Sequence, residues 1–147
     1  LQRYVDQLGL QGNVSILVKR VVPRELVLSL LACGKVFLYP SRRDVYPQVI
    51  GEALSRGLPV VTYDLPGIRH AYGGCRAVVR VRPGDFEALG REALRIIQDP
   101  SLLEKLSEHA VECCRRMDWR SVALNEAKAY LLALSISNTV GKAKEIA

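Results

Sequence analysis

Four short apolar runs, each followed by a polar loop and then a helical pattern, constrain this chain more than any other feature. They fall at residues 14–18, 35–39, 58–63 and 77–81. Val36-Phe37-Leu38-Tyr39 and Pro59-Val60-Val61-Thr62-Tyr63 do not alternate polar with apolar. A strand with no polar face is covered on both sides, as strands of a parallel sheet flanked by helices are. Helical patterns fill the intervals. Pro23 and Pro47 open two of them at a first turn, where a missing N–H costs little, and Gly34 and Gly57 close them. The pattern predicts an α/β fold: a Rossmann-like parallel sheet with helices on both faces.

The remaining elements follow from local chemistry. Residues 1–9 read as a helix with Leu1, Val5 and Leu8 inward. Pro66-Gly67 reads as a loop, with His70 a loop residue beyond it. Asp85, Asp99 and Asp118 are placed to cap three successive helices. The second of these turns Leu102, Leu103, Leu106, Ala110 and Val111 inward, and the last runs from Trp119 to about Ser135. Residues 137–147 read as a flexible tail. Four strands make a thin sheet, which points to further elements before residue 1.

The 147 residues suit one domain, and a hydrophobic share of 49% supports a core. A formal charge of +6 favours anionic partners, whether phosphates, nucleic acid or an acidic membrane face. Few aromatics and no cation–aromatic interleaving count against nucleic acid. Cys33, Cys75, Cys113 and Cys114 form no metal-binding spacing, so they read as packing residues of a protein in a reducing cytosol. No apolar run approaches the roughly 20 residues of a membrane span. No secretory leader is visible.

Ligands of open parallel sheets bind beyond the carboxyl ends of the strands. Two loops qualify: Arg20 to Arg24, and Pro40 to Tyr46. The second holds Ser41, Arg42, Arg43 and Asp44 and leads into the helix at Pro47, whose free N–H groups and positive end suit a phosphate. Glu52 lies in the second turn of that helix, with its side chain leaning back toward the same end. Cations for phosphates and carboxylates for sugar hydroxyls together describe a nucleotide-sugar site. The bland readings are a helix-entry role for Asp44, a solvated Glu52 and surface charge for the arginines.

Phe37-Leu38-Tyr39-Pro40-Ser41, then Asp44, Glu52-Ala53-Leu54 and Gly57-Leu58-Pro59-Val60-Val61, resemble the core of the group 1 (family 4) glycosyltransferases. The likeness, an acid and a Glu separated by seven residues, runs through residues 1 to 134, with Leu8-Gly9-Leu10, Pro83-Gly84-Asp85, Asp99-Pro100 and Asp118-Trp119 in place. It implies the C-terminal, donor-binding lobe of a two-lobed GT-B fold over residues 1–136, partial here, with an N-terminal acceptor lobe absent from the chain. It implies transfer of a sugar, with retention, from a UDP-, GDP- or ADP-sugar, without cofactor or bound metal. Asp44 then matches the catalytic acid that contacts the donor sugar, and Glu52 the one that contacts the ribose. Val45, Tyr46, Pro47 and Gln48 face the diphosphate and sugar, supported by Ser41 and Arg43, and the loop with Val21 and Val22 lies near the base. Location in the cytoplasm, with peripheral contact at the inner membrane face, is consistent with that role, and no nucleic acid partner is expected. The chain departs from the family in four places. Asp44 replaces the usual Glu, Val45 and Pro47 replace glycines, and Pro66-Gly67 leads to His70 where Gly-Gly and a Glu are usual. A basic RNA-binding module and a sugar-nucleotide epimerase of the same fold are the alternatives.

Overall fold

The computed structural model describes residues 1–17, 22–116 and 119–145, and three of the four apolar runs form its sheet. Strands β1 (Phe37–Tyr39), β2 (Val60–Tyr63) and β3 (Val78–Val81) lie side by side in that order. Both pairings are parallel, with Phe37 opposite Val60 and Val60 opposite Val78. All four residues of β2 are buried, as expected for a central strand covered on both faces. Thr62 is the polar member, and its hydroxyl donates to the Tyr39 carbonyl at 2.9 Å, so no buried polar group is left unpaired there.

Among the described residues seven helices accompany the strands: α1 (Gln2–Gln7), α2 (Arg24–Ala32), α3 (Gln48–Ser55), α4 (Pro66–Tyr72), α5 (Phe86–Gln98), α6 (Pro100–Arg115) and α7 (Trp119–Glu145). Asp85 and Asp99 cap as their positions suggest, accepting the N–H of Ala88 at 2.8 Å and of Leu102 at 3.0 Å. Each such cap contributes about 1 kcal/mol. The expected cap at Asp118 lies outside the described residues. Gly57 ends α3 at φ +71°, a left-handed conformation that favours glycine. The core gathers Ile50, Ala53 and Leu54 of α3, Val60 and Val61 of β2, Ile68 and Tyr72 of α4, Ile96 of α5, and Leu106 and Ala110 of α6.

Five expectations are corrected. Residues 14–17 form no strand. They are apolar enough to enter a sheet but do not join the ladder, and Leu17 lies instead at the rim of an apolar cleft of about 330 Å³ between α2 and β1. Residues 66–72 are helical rather than a loop, so His70 sits on α4; Pro66 stands in the first turn, where proline is favoured. Helix α7 continues to Glu145, past the expected end near Ser135. Of the faces assigned inward, α1 buries Val5 and α6 buries Leu106 and Ala110, while Leu1, Leu8 and Val111 are exposed, because periodicity marks a stripe without saying what covers it.

Cysteine pairing is the fifth. Cys75 and Cys113 form a disulfide, which leaves Cys33 and Cys114 as thiols. The pair joins the residues before β3 to the last turns of α6. Helix packing brings the two cysteines together across a sequence separation of 38, which no spacing rule reveals. A disulfide does not support the reducing compartment inferred from the cysteine pattern. Among the described residues no helix is long and apolar enough to cross a membrane.

Candidate functional site

The loop between β1 and α3 crosses the carboxyl end of the sheet and carries Asp44. Ser41 turns it, donating its hydroxyl to the Arg43 carbonyl at 2.9 Å. Asp44 then makes an Asx turn, with its Oδ1 accepting the Tyr46 N–H at 3.1 Å. Its other oxygen, Oδ2, accepts the hydroxyl of Tyr39, the last residue of β1. That bond, and then burial, pushes the Tyr39 phenol above its usual range. Asp44 is not the helix cap: Pro47 occupies that position, and no side chain caps α3. Its first-turn N–H groups are therefore not engaged by a capping side chain.

Glu52 projects from α3 toward α2. Its carboxylate pairs with the Arg24 guanidinium at 3.0 Å, and its side chain is 24% exposed. Arg24 is the first residue of α2, so this pair joins the end of the first candidate loop to the helix that follows the second. Among the described residues Asp44 and Glu52 share no hydrogen-bond or ion-pair partner. Asp44 is held from the β1 side, Glu52 from the α2 side, and α3 begins between them.

On the Asp44 flank, α4 packs against the loop at backbone distance. A Cβ added to Gly67 would lie 2.2 Å from the Val45 carbonyl oxygen and 2.7 Å from that of Asp44. Only a residue without a side chain permits that approach. Tyr72, at the other end of α4, donates its hydroxyl to the Pro47 carbonyl at 3.0 Å, and its ring stacks with Tyr46 at a centroid distance of 5.9 Å. Burial, aided by Tyr46, pushes the Tyr72 phenol up to about 12. Helix α4 is itself fastened by Asp64, just past β2, which takes Arg69 Nε at 3.1 Å and Nη2 at 2.8 Å.

The other sequence candidates distribute as follows. Ser41 shapes the turn. Arg42, Arg43 and Gln48 are exposed, and Arg43 enters the loop's hydrogen bonding through its carbonyl. Val45 and Tyr46 are exposed above the helix tip, while Pro47 is buried. Val22 lines the apolar cleft with Val27, Leu31 and Phe37, a lining that does not include Asp44. Val21 lies outside the described residues. A second cleft, polar and of about 340 Å³, is lined by Gly74, Arg76, His109, Glu112, Cys113 and Arg116 and shares no residue with the Asp44 loop. Neither acid lines either cleft, and both are half-buried. Among the described residues no three metal-ligating side chains converge.

Four structural partners went unassigned in the sequence: Tyr39, Gly67, Tyr72 and Arg24. Tyr39 carries a readable signal, a hydroxyl at the end of an apolar strand five residues before an acid. Gly67 stands where the family resemblance has a glycine, and Tyr72 carries no signal, since its role depends on which helix meets the loop.

Comparison with known proteins supplies the remaining evidence. Residues 1–99 match the family model described as glycosyl transferases group 1. The O-antigen chain mannosyltransferase B of Escherichia coli is 28% identical over 111 residues, covering 76% of this chain and 29% of that protein. The alpha-D-kanosaminyltransferase of Streptomyces kanamyceticus is 24% identical over 110 residues, covering 75% and 28%. The chain therefore spans less than a third of the length of these relatives. Among solved structures, the sucrose-phosphate synthase of Thermosynechococcus elongatus superposes with a TM-score of 0.76 at 21% identity, covering 92% of this chain and 34% of that one, and shares its fold. With the family model matching most of its length and the parallel sheet in place, the chain belongs to the group 1 glycosyltransferases and forms a Rossmann-like lobe of the GT-B fold.

Proposed function

We propose that this lobe holds the donor of a retaining glycosyl transfer, a nucleoside-diphosphate sugar lying across the amino end of α3. The observation that carries the reading is the arrangement of the two acids. Asp44 and Glu52 flank a helix start that no side chain caps, and each is held by a partner from a neighbouring element. The helix end offers N–H donors and a partial positive charge to the diphosphate. Asp44 accepts from the sugar hydroxyls and Glu52 from the ribose. The base lies toward Val22, ahead of Arg24. Catalysis follows from holding the leaving diphosphate and stabilising the charge that develops on it as the glycosidic bond breaks. The acceptor is held by a second lobe of a longer enzyme, in keeping with the fraction of its relatives that this chain spans.

Binding by calorimetry tests the ribose role. Glu52→Ala is expected to weaken binding of a nucleoside diphosphate about tenfold or more, the effect of losing a hydrogen bond to a charged group. Binding of inorganic pyrophosphate, which has no ribose, should be unaffected. Equal losses for both ligands would refute the assignment.

A further inference from the structure

The partners of Asp44 are more specific than a surface loop requires. Tyr39 closes β1 and is anchored to the sheet by two contacts. Its carbonyl accepts the Thr62 hydroxyl at 2.9 Å, and its ring stacks on Phe37 at a centroid distance of 6.1 Å. From this fixed position its hydroxyl reaches forward five residues to Asp44 Oδ2, while the Tyr46 N–H takes Oδ1 at 3.1 Å. Both carboxylate oxygens are therefore oriented before any ligand arrives. A carboxylate has about four acceptor positions, so roughly two remain for hydroxyl donors.

We infer that Tyr39 is a positioning residue of the donor site: it fixes the Asp44 carboxylate, and thereby the sugar, without touching the ligand itself. The inference rests on the reading of Asp44 as the sugar contact. An aspartate on an open loop would otherwise lose side-chain freedom each time a sugar bound. A hydroxyl anchored in the sheet removes that loss beforehand. The upward displacement of the Tyr39 phenol accords with a proton held by the neighbouring carboxylate. The same bond suits the shorter acid. A glutamate at position 44 would carry its carboxylate one methylene past the tyrosine.

Titration calorimetry on the full encoded polypeptide tests this with matched pairs: UDP and UDP-glucose, GDP and GDP-mannose, ADP and ADP-glucose. Tyr39→Phe retains the ring that packs on Phe37 and removes only the hydroxyl. In the pair that binds, it is expected to weaken the sugar nucleotide about tenfold, the effect of one charge-assisted hydrogen bond, and to leave the bare diphosphate unchanged. Asp44→Ala should show the same selectivity, and adding Tyr39→Phe to it should cost little more, because the two act as one unit. Equal weakening of sugar nucleotide and diphosphate by Tyr39→Phe, or full additivity with Asp44→Ala, overturns the positioning role while the reading of Asp44 stands. If Asp44→Ala itself fails to distinguish the two ligands, or no pair binds, the donor-site reading falls and the role of Tyr39 falls with it.

Discussion

Gly67 shows how much of this site depends on single atoms. The Asp44–Val45 backbone and the start of α4 are closer than any side chain permits, with the Val45 oxygen 2.2 Å from where a Cβ would stand. The obstruction is backbone rather than a flexible side chain, so the loop itself must move. Gly67→Ala is expected to destabilise the fold by about 2–3 kcal/mol, as overpacking does, and, under the proposed donor-site reading, to weaken nucleotide-sugar binding by displacing Asp44. Urea unfolding and calorimetry read the two effects separately. At this scale the sequence announced the acids but not their surroundings. Asp44 and Glu52 stood out by type and spacing. Tyr39 and Arg24 became partners only once β1, the loop and α2 had positions in space. The two glycines that the family carries around Tyr46 are Val45 and Pro47 here, and both pack without strain: Val45 points to solvent and Pro47 serves as the helix cap.

Between elements, α4 works as a brace for α3. Tyr72 is 1% exposed, and its hydroxyl satisfies the Pro47 carbonyl at the point where α3 begins. Burial raises its pKa to about 12 from an ordinary value near 10. The folded protein therefore keeps this proton over a range in which the unfolded chain has lost it. The stabilisation is fully present below pH 10 and declines as pH rises from 10 through 12, by up to about 2 kcal/mol. Urea midpoints measured across that range should fall more steeply in the wild type than in Tyr72→Phe, which lacks the titrating group. Parallel slopes would show that Tyr72 does not contribute. Elements were the most legible level of the sequence. β1 and β2 coincide with the runs read as buried strands, β3 with one interrupted by Arg80, and the aspartate caps of α5 and α6 hold. The misreadings share one cause. The run at 14–17 has strand composition but no ladder partner, and residues 66–72 have a loop's proline and glycine but a helix's backbone. Composition is local, whereas pairing depends on the neighbour.

For the molecule as a whole, the Cys75–Cys113 disulfide joins the β3 side of the sheet to α6, and α6 packs on α3 and gives Leu106 and Ala110 to the core. A bridge across a sequence separation of 38 restricts the unfolded chain by an amount worth about 4 kcal/mol. Reduction is therefore expected to lower the melting temperature markedly. A Cys75→Ser, Cys113→Ser variant should melt at the reduced temperature whether or not a thiol reductant is present. An unreduced mass equal to that of the fully reduced chain would show that the bridge does not form. Apolar surface also remains unburied at this scale. The cleft between α2 and β1 is open, and Leu124, Leu131 and Leu134 on α7 are exposed.

The sequence by itself determined the class of fold, the three strands that formed, two helix caps and the family, and it singled out the two acids as candidates. All of these are written in short stretches, in the period of apolar residues and in side chains that act on a backbone a few positions away. Tertiary structure alone decided which apolar run entered the sheet, which cysteines met, and which groups hold Asp44 and Glu52. These are contacts between residues far apart in the chain or on different elements. They exist only when helices have packed, because a hydrogen bond, a disulfide or a close backbone approach requires positions that no local pattern specifies.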